Sequence, residues 1–86
     1  MQYVSGTTSA LAALATLLEA FEGALRAVPG HQASVIRSRV RGASSTEELW
    51  PLRREVYELV SRSVEPWEAQ ARIRDLETVF ERSRGR

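Results

Sequence analysis

One apolar stripe limits what this chain can fold into. Leu11, Leu14, Leu18, Phe21, Leu25 and Val28 follow one another at alternating steps of three and four residues, a heptad seam with no polar interruption. Ala10, Ala13, Leu17, Ala20, Ala24 and Ala27 widen the stripe on its flanks, and small residues beside a seam let a neighbouring helix come close. Ala and Leu are strong helix formers. Thr8 or Ser9 can cap the first turn with a side-chain oxygen. Pro29-Gly30 closes the run, because a helix usually stops before Pro and Gly supplies a permissive exit. The pattern predicts a helix over residues 9–28 after a flexible N-terminus at 1–8, with Glu22 and Arg26 at a favourable i,i+4 spacing on its polar side. So much apolar surface calls for a cover, either from later segments of the chain or from another molecule.

The later segments offer three candidates for that cover. In residues 29–44, Val35, Ile36 and Val40 suit the inner side of a short helix. Ile36, Ser38 and Val40, alternating with Arg37, Arg39 and Arg41, equally suit an edge strand, and period alone does not separate the two. A short helix over 33–41, stopped by Gly42, is favoured. Ser45 and Glu48 then match a capping box, in which each side chain satisfies a free amide of the first turn. The helix they open is expected over 46–63 and is interrupted at Pro51, which lacks an amide proton and crowds the preceding turn. It is read either as one kinked helix or as a short turn leading into a helix that begins at Pro51. Leu52, Val56, Leu59 and Val60 form its inner face, flanked by Trp50 and Tyr57, with Glu58 and Arg62 paired outside. A last helix is expected over 65–82. Pro66 is tolerated in its first turn, Glu65 and Glu68 suit the positive end of its dipole, and Ala69, Ile73, Leu76 and Phe80 repeat the three-four spacing. Trp67 stands at its start, and residues 83–86 form a polar, flexible tail.

The fold class is therefore all-α: a single helical domain over 1–86, a small bundle of three main helices plus one short one, dimeric or partner-bound. Length supports the last clause. A chain of 86 residues buries only about 60–65% of its extended surface and is marginal by itself. Small domains of this kind gain stability from disulfides, metals or association. There is no Cys, and His31 is the only His, so association is the natural remaining source. The lack of Cys also removes any dependence on an oxidising compartment. Residues 10–18 are too short for a membrane span of roughly 20 residues. No basic residue precedes them, and Glu19 and Glu22 stand where a signal cleavage site would lie. A cytoplasmic location is expected.

Chemistry is sparse. Nucleophilic catalysis needs an activated Ser, Cys, Thr or Lys beside a base. Cys and Lys are absent, and His31 sits in a Pro-Gly turn. The carboxylate pairs Glu19/Glu22 and Glu47/Glu48 read as a wet helix face and as charge at a helix N-terminus. No enzymatic activity, cofactor, metal or small-molecule substrate is expected. Arg37, Arg39 and Arg41 form a basic segment without acids, and a nucleic-acid-binding regulator is the alternative function they suggest. Against it, Glu47 and Glu48 would face phosphates in a helix-turn-helix arrangement, and the exposed side of the reading helix lacks Asn, Gln and Lys to read bases. A basic connector paired with acids such as Glu55 and Glu58 is the plainer reading. The first helix also lacks the basic face of an interfacial membrane helix.

The favoured expectation is a non-enzymatic protein–protein interaction module, an adaptor, small chaperone or regulatory subunit, acting through the heptad face. Its contact residues would be Leu11, Leu14, Leu18, Phe21, Leu25 and Val28. Trp50, Tyr57 and Trp67 would form a second contact where the later helices meet, since aromatic anchors are enriched at interfaces. The partner would be another protein or, as a homodimer, a second copy.

Overall fold

The structure, a computed structural model, describes the backbone of residues 2–84 and the side chains of residues 11–83. Among them are five helices and no strand: α1 (Gln2–Ala24), α2 (His31–Arg41), α3 (Thr46–Leu49), α4 (Leu52–Ser63) and α5 (Pro66–Arg84). α1 starts well ahead of residue 9, so the segment expected to be a flexible N-terminus is helical backbone from Gln2 onward. No Pro interrupts it, and a helix nucleated in the Ala/Leu run propagates cheaply into neighbouring turns. The Thr8 or Ser9 cap falls away because the helix already passes through both, and their side chains lie outside the described residues. Met1, Gly85 and Arg86, the ends of the two expected tails, also lie outside them, while α5 continues beyond the expected end at 82.

α1 also ends earlier than Val28. Its last turn tightens at Ala24, with Arg26 N–H donating to the Gly23 carbonyl at 3.2 Å and Val28 N–H to Leu25 at 3.0 Å. Ala27 takes a left-handed conformation (φ 61°), a position usually given to Gly and strained by about 1 kcal/mol for Ala. That turn swings Leu25 and Val28 inward, to 1% and 2% exposure. Pro29-Gly30 serves the next element instead. Gly30 is the N-cap of α2, at φ 106°, ψ 166°, a backbone region open to glycine, so α2 starts before residue 33.

Burial settles the form of α2. Ala33, Ile36 and Val40 are buried, a helical spacing, while Ser38 and Val35 are exposed. A strand would have put Ser38 beside Ile36 and Val40. One half of the capping box forms, with Ser45 Oγ accepting from Glu48 N–H at 3.4 Å, while the Glu48 carboxylate reaches one residue further back and accepts from the Ser44 amide at 2.9 Å. Of the two readings of residues 46–63, the chain takes the divided one, with a short helical turn ahead of Pro51 and a second helix after it. Trp50 and Pro51 keep right-handed dihedrals, yet the regular ladder stops because Pro51 has no amide to donate, leaving α3 and α4 joined at that point.

α1 and α5 run antiparallel and form the longest contact. Phe21 meets Phe80 edge-on at 5.6 Å between ring centroids, and Arg72, nearer the start of α5, reaches the C-terminal end of α1. α2 and α4 close the other side. The core gathers Leu17, Phe21 and Leu25 of α1, Ile36 and Val40 of α2, Leu49 of α3, Leu52, Val56, Leu59 and Val60 of α4, and Leu76 and Phe80 of α5. No polar or charged residue is buried among the described residues. The radius of gyration is 13.6 Å, above the about 12 Å of a compact chain this long. α1 accounts for the excess: Phe80 lies level with Phe21, so α5 ends before the first turns of α1 are reached.

Candidate interaction surface

The apolar stripe of α1 meets two fates. Toward its C-terminal end, Phe21, Leu25 and Val28 are fully covered by the chain's own later helices. Toward the N-terminal end, Leu14 and Leu18 are half-buried and Leu11 is 63% exposed. The inward face is also rotated from the expected seam. Leu17, read from sequence as a flank, is completely buried and Ala24 nearly so. Leu14, Leu17, Phe21, Ala24 and Val28 thus form a second three-four series, and this is the one that faces the core. Its choice follows from the packing of α5, whose Phe80 meets Phe21 and whose Arg72, Leu76 and Val79 line a groove with Ala20 and Ala24. Turning that face inward leaves Leu11, Ala15 and Leu18 on the shoulder.

The C-terminal end of α1 is held by two arginines from distant elements. Arg37 of α2 donates to the carbonyls of Leu25 (2.7 Å) and Val28 (3.1 Å). Arg72 of α5 donates to those of Ala24 (3.1 Å) and Arg26 (2.8 Å), and also pairs with Glu68. Helix ends leave carbonyls without intrahelical partners, and cations are favoured at this end of the dipole. Sequence reasoning missed Arg72 entirely. No local pattern marks a side chain that caps a helix more than 40 positions away.

The basic segment is engaged within the molecule. Arg37 caps α1, Arg39 pairs with Glu55 at 2.9 Å, and Arg41 pairs with Glu22 at 3.0 Å. The last two pairs are exposed at their rims. Glu22 thereby joins α2 rather than Arg26, and Arg62, expected to pair with Glu58, instead donates to Gln32 at 2.9 Å. Both replacements tie α2 to its neighbours.

The aromatic residues do not gather as Trp50, Tyr57 and Trp67. Trp50 stacks edge-on against Phe80 at 5.0 Å, under the Arg53 guanidinium at 4.0 Å from its ring centre. The trio actually formed is Phe21, Phe80 and Trp50. Trp67 is 72% exposed near the start of α5, about 20 Å along the helix from Phe80. Tyr57 is half-buried, and its hydroxyl and Arg53 Nε are both buried without a hydrogen bond. The Tyr57 pKa is raised above the usual 10.0, first by burial and then by the nearby Glu77 carboxylate, with Arg53 acting in the opposite direction. A cleft of about 390 Å³ beside α3 is lined by Thr46, Glu47, Trp50, Phe80 and Ser83, and the Ser83 hydroxyl donates to the Phe80 carbonyl at 3.0 Å.

His31 is exposed at the start of α2. Among the described residues no three His, Cys, Asp or Glu side chains come together to hold a metal ion. None of the described helices is long and apolar enough to cross a membrane. No family model, curated protein or solved structure matches this chain.

Proposed function

We propose that the chain is a non-enzymatic helical interaction module, an adaptor, small chaperone or regulatory subunit, which receives an amphipathic helix on the uncovered shoulder of α1. One observation carries this reading: Leu11 stays 63% exposed on a helix that continues past its own bundle, in line with half-buried Leu18. Apolar residues in i, i+4, i+7 array are what a helix-in-groove contact uses. Phe21, Leu25 and Val28, on the same stripe, serve the fold rather than the contact. Trp67, exposed and bulky, is a second anchor on a separate part of the surface. Nucleic-acid binding is the weaker reading, because Arg37, Arg39 and Arg41 would each have to leave an internal partner.

The test is Leu11→Asp in the full chain. The substitution sits on exposed surface, so helicity and melting temperature stay close to wild type. Association with a charge-poor amphipathic helical peptide, or self-association, is lost. Unchanged association would remove the α1 shoulder from the reading.

A further inference from the structure

The partner for the α1 shoulder is readable from where charge is missing. Residues 1–18 contain no Asp, Glu, Lys, Arg or His, and the first charged side chain is Glu19. A surface helix ordinarily turns a charged face to water. Where side chains are described on this stretch, Leu11, Ala12 and Ala15 are exposed and Leu14 and Leu18 half-buried. The best complement is a helix of the same character, and the chain carries one.

Resting on the interaction reading above, we infer that a second copy of this chain docks antiparallel on the α1 shoulder, with a two-fold axis passing between Leu14 and Ala15. Charge decides the direction. In parallel register Glu19 would face the partner's Glu19, a like-charge arrangement that costs stability. In antiparallel register Leu11 faces the partner's Leu18, and the small, exposed Ala15 of each copy lies beside the axis. Glu19 and Glu22 then lie beside the uncharged N-terminal half of the opposite helix, toward the positive end of its dipole. The same patch serves both copies, as a closed two-fold contact requires. The contact is one helix pair and therefore small, so the dimer dissociates on dilution.

The natural chain has no Cys, so disulfide trapping reads the register directly. Full-length Leu11→Cys and Leu18→Cys variants are mixed and mildly oxidised, since a disulfide forms only where Cα atoms come within about 7 Å. The expected product is the mixed 11–18 disulfide, in several-fold excess over either homodimer, with wild-type mass above 9.6 kDa at high concentration. If Leu18→Cys lowers helicity, Leu11→Cys alone repeats the test, because the antiparallel register holds the two copies of position 11 about 10 Å apart along the helix and yields no 11–11 disulfide. Dominant 11–11 and 18–18 disulfides would overturn the antiparallel register and leave the interaction reading standing. A monomer that still binds an amphipathic peptide through Leu11 would overturn the second copy alone. A monomer that binds no such peptide would overturn both.

Discussion

The two halves of α1 carry the same kind of sequence and are stabilised in different ways. From Leu17 to Val28 the stripe is sealed by α2, α4 and α5, and its end is pinned by two guanidinium groups. Before Leu17 the cover thins out: Leu14 is half-buried against the core and Leu11 remains in water. The difference lies in length. α5 reaches only as far as Phe21 with its own last buried aromatic, Phe80, and α2 and α4 are shorter still. A heptad pattern states that a face needs a cover; how far the cover extends is set by the partner helices.

Substitutions on either side of that boundary should separate sharply. The largest effect is expected at Phe21→Ala, which empties a fully buried site between Leu17 and Phe80; large-to-small changes of this type cost about 3–5 kcal/mol. For a small domain that is most of the stability, read as a collapse of the urea midpoint. Leu11→Ala, on the same stripe, should leave the midpoint within about 0.5 kcal/mol while weakening association. Equal stability losses at the two positions would erase the distinction.

The arginine caps come next. Arg72→Ala leaves the Ala24 and Arg26 carbonyls without their donor and unpairs Glu68. A loss of about 1–3 kcal/mol is expected, together with faster amide exchange in the last turn of α1. Arg39→Ala breaks an exposed pair with Glu55 and should cost less than about 1 kcal/mol, shrinking further at high salt. The smallest effect concerns Tyr57. Its folded-state pKa is raised, so the fold favours the neutral phenol. That contribution is complete below the ordinary value of 10.0 and is lost as pH rises through the higher folded value. Tyr57→Phe should flatten this alkaline decline in denaturation curves and leave neutral-pH stability almost unchanged.

Much of the architecture was legible as periodicity. The inner face of α4, Leu52, Val56, Leu59 and Val60, is buried as its spacing implied. Gly42 and the Ser45–Glu48 cap stand where local chemistry puts them. The orientation of α1 was not legible, because an Ala/Leu-rich helix supports two overlapping three-four series. Only the packing of α5 against Phe21 and beside Ala20 and Ala24 selects the one through Leu17. The aromatic grouping failed for a related reason. Trp50 and Trp67 are near in sequence, but they flank α5 at opposite ends. The basic segment was legible to the extent that acids elsewhere were named as its partners. Glu55 is one, while Glu22 and the carbonyls of α1 were visible only in three dimensions.

The contrast between the halves of α1 has a direct measurement: residue-resolved amide hydrogen exchange along α1 at several protein concentrations. Residues 21–24 should be protected to the same degree throughout, because their cover is intramolecular. Residues 11–15 should exchange fast in dilute solution and gain protection as concentration rises, because the cover of Leu11 and Ala15 arrives from a second molecule. Exchange in 11–15 that is independent of concentration, and unmoved by an added amphipathic helix, would contradict the account.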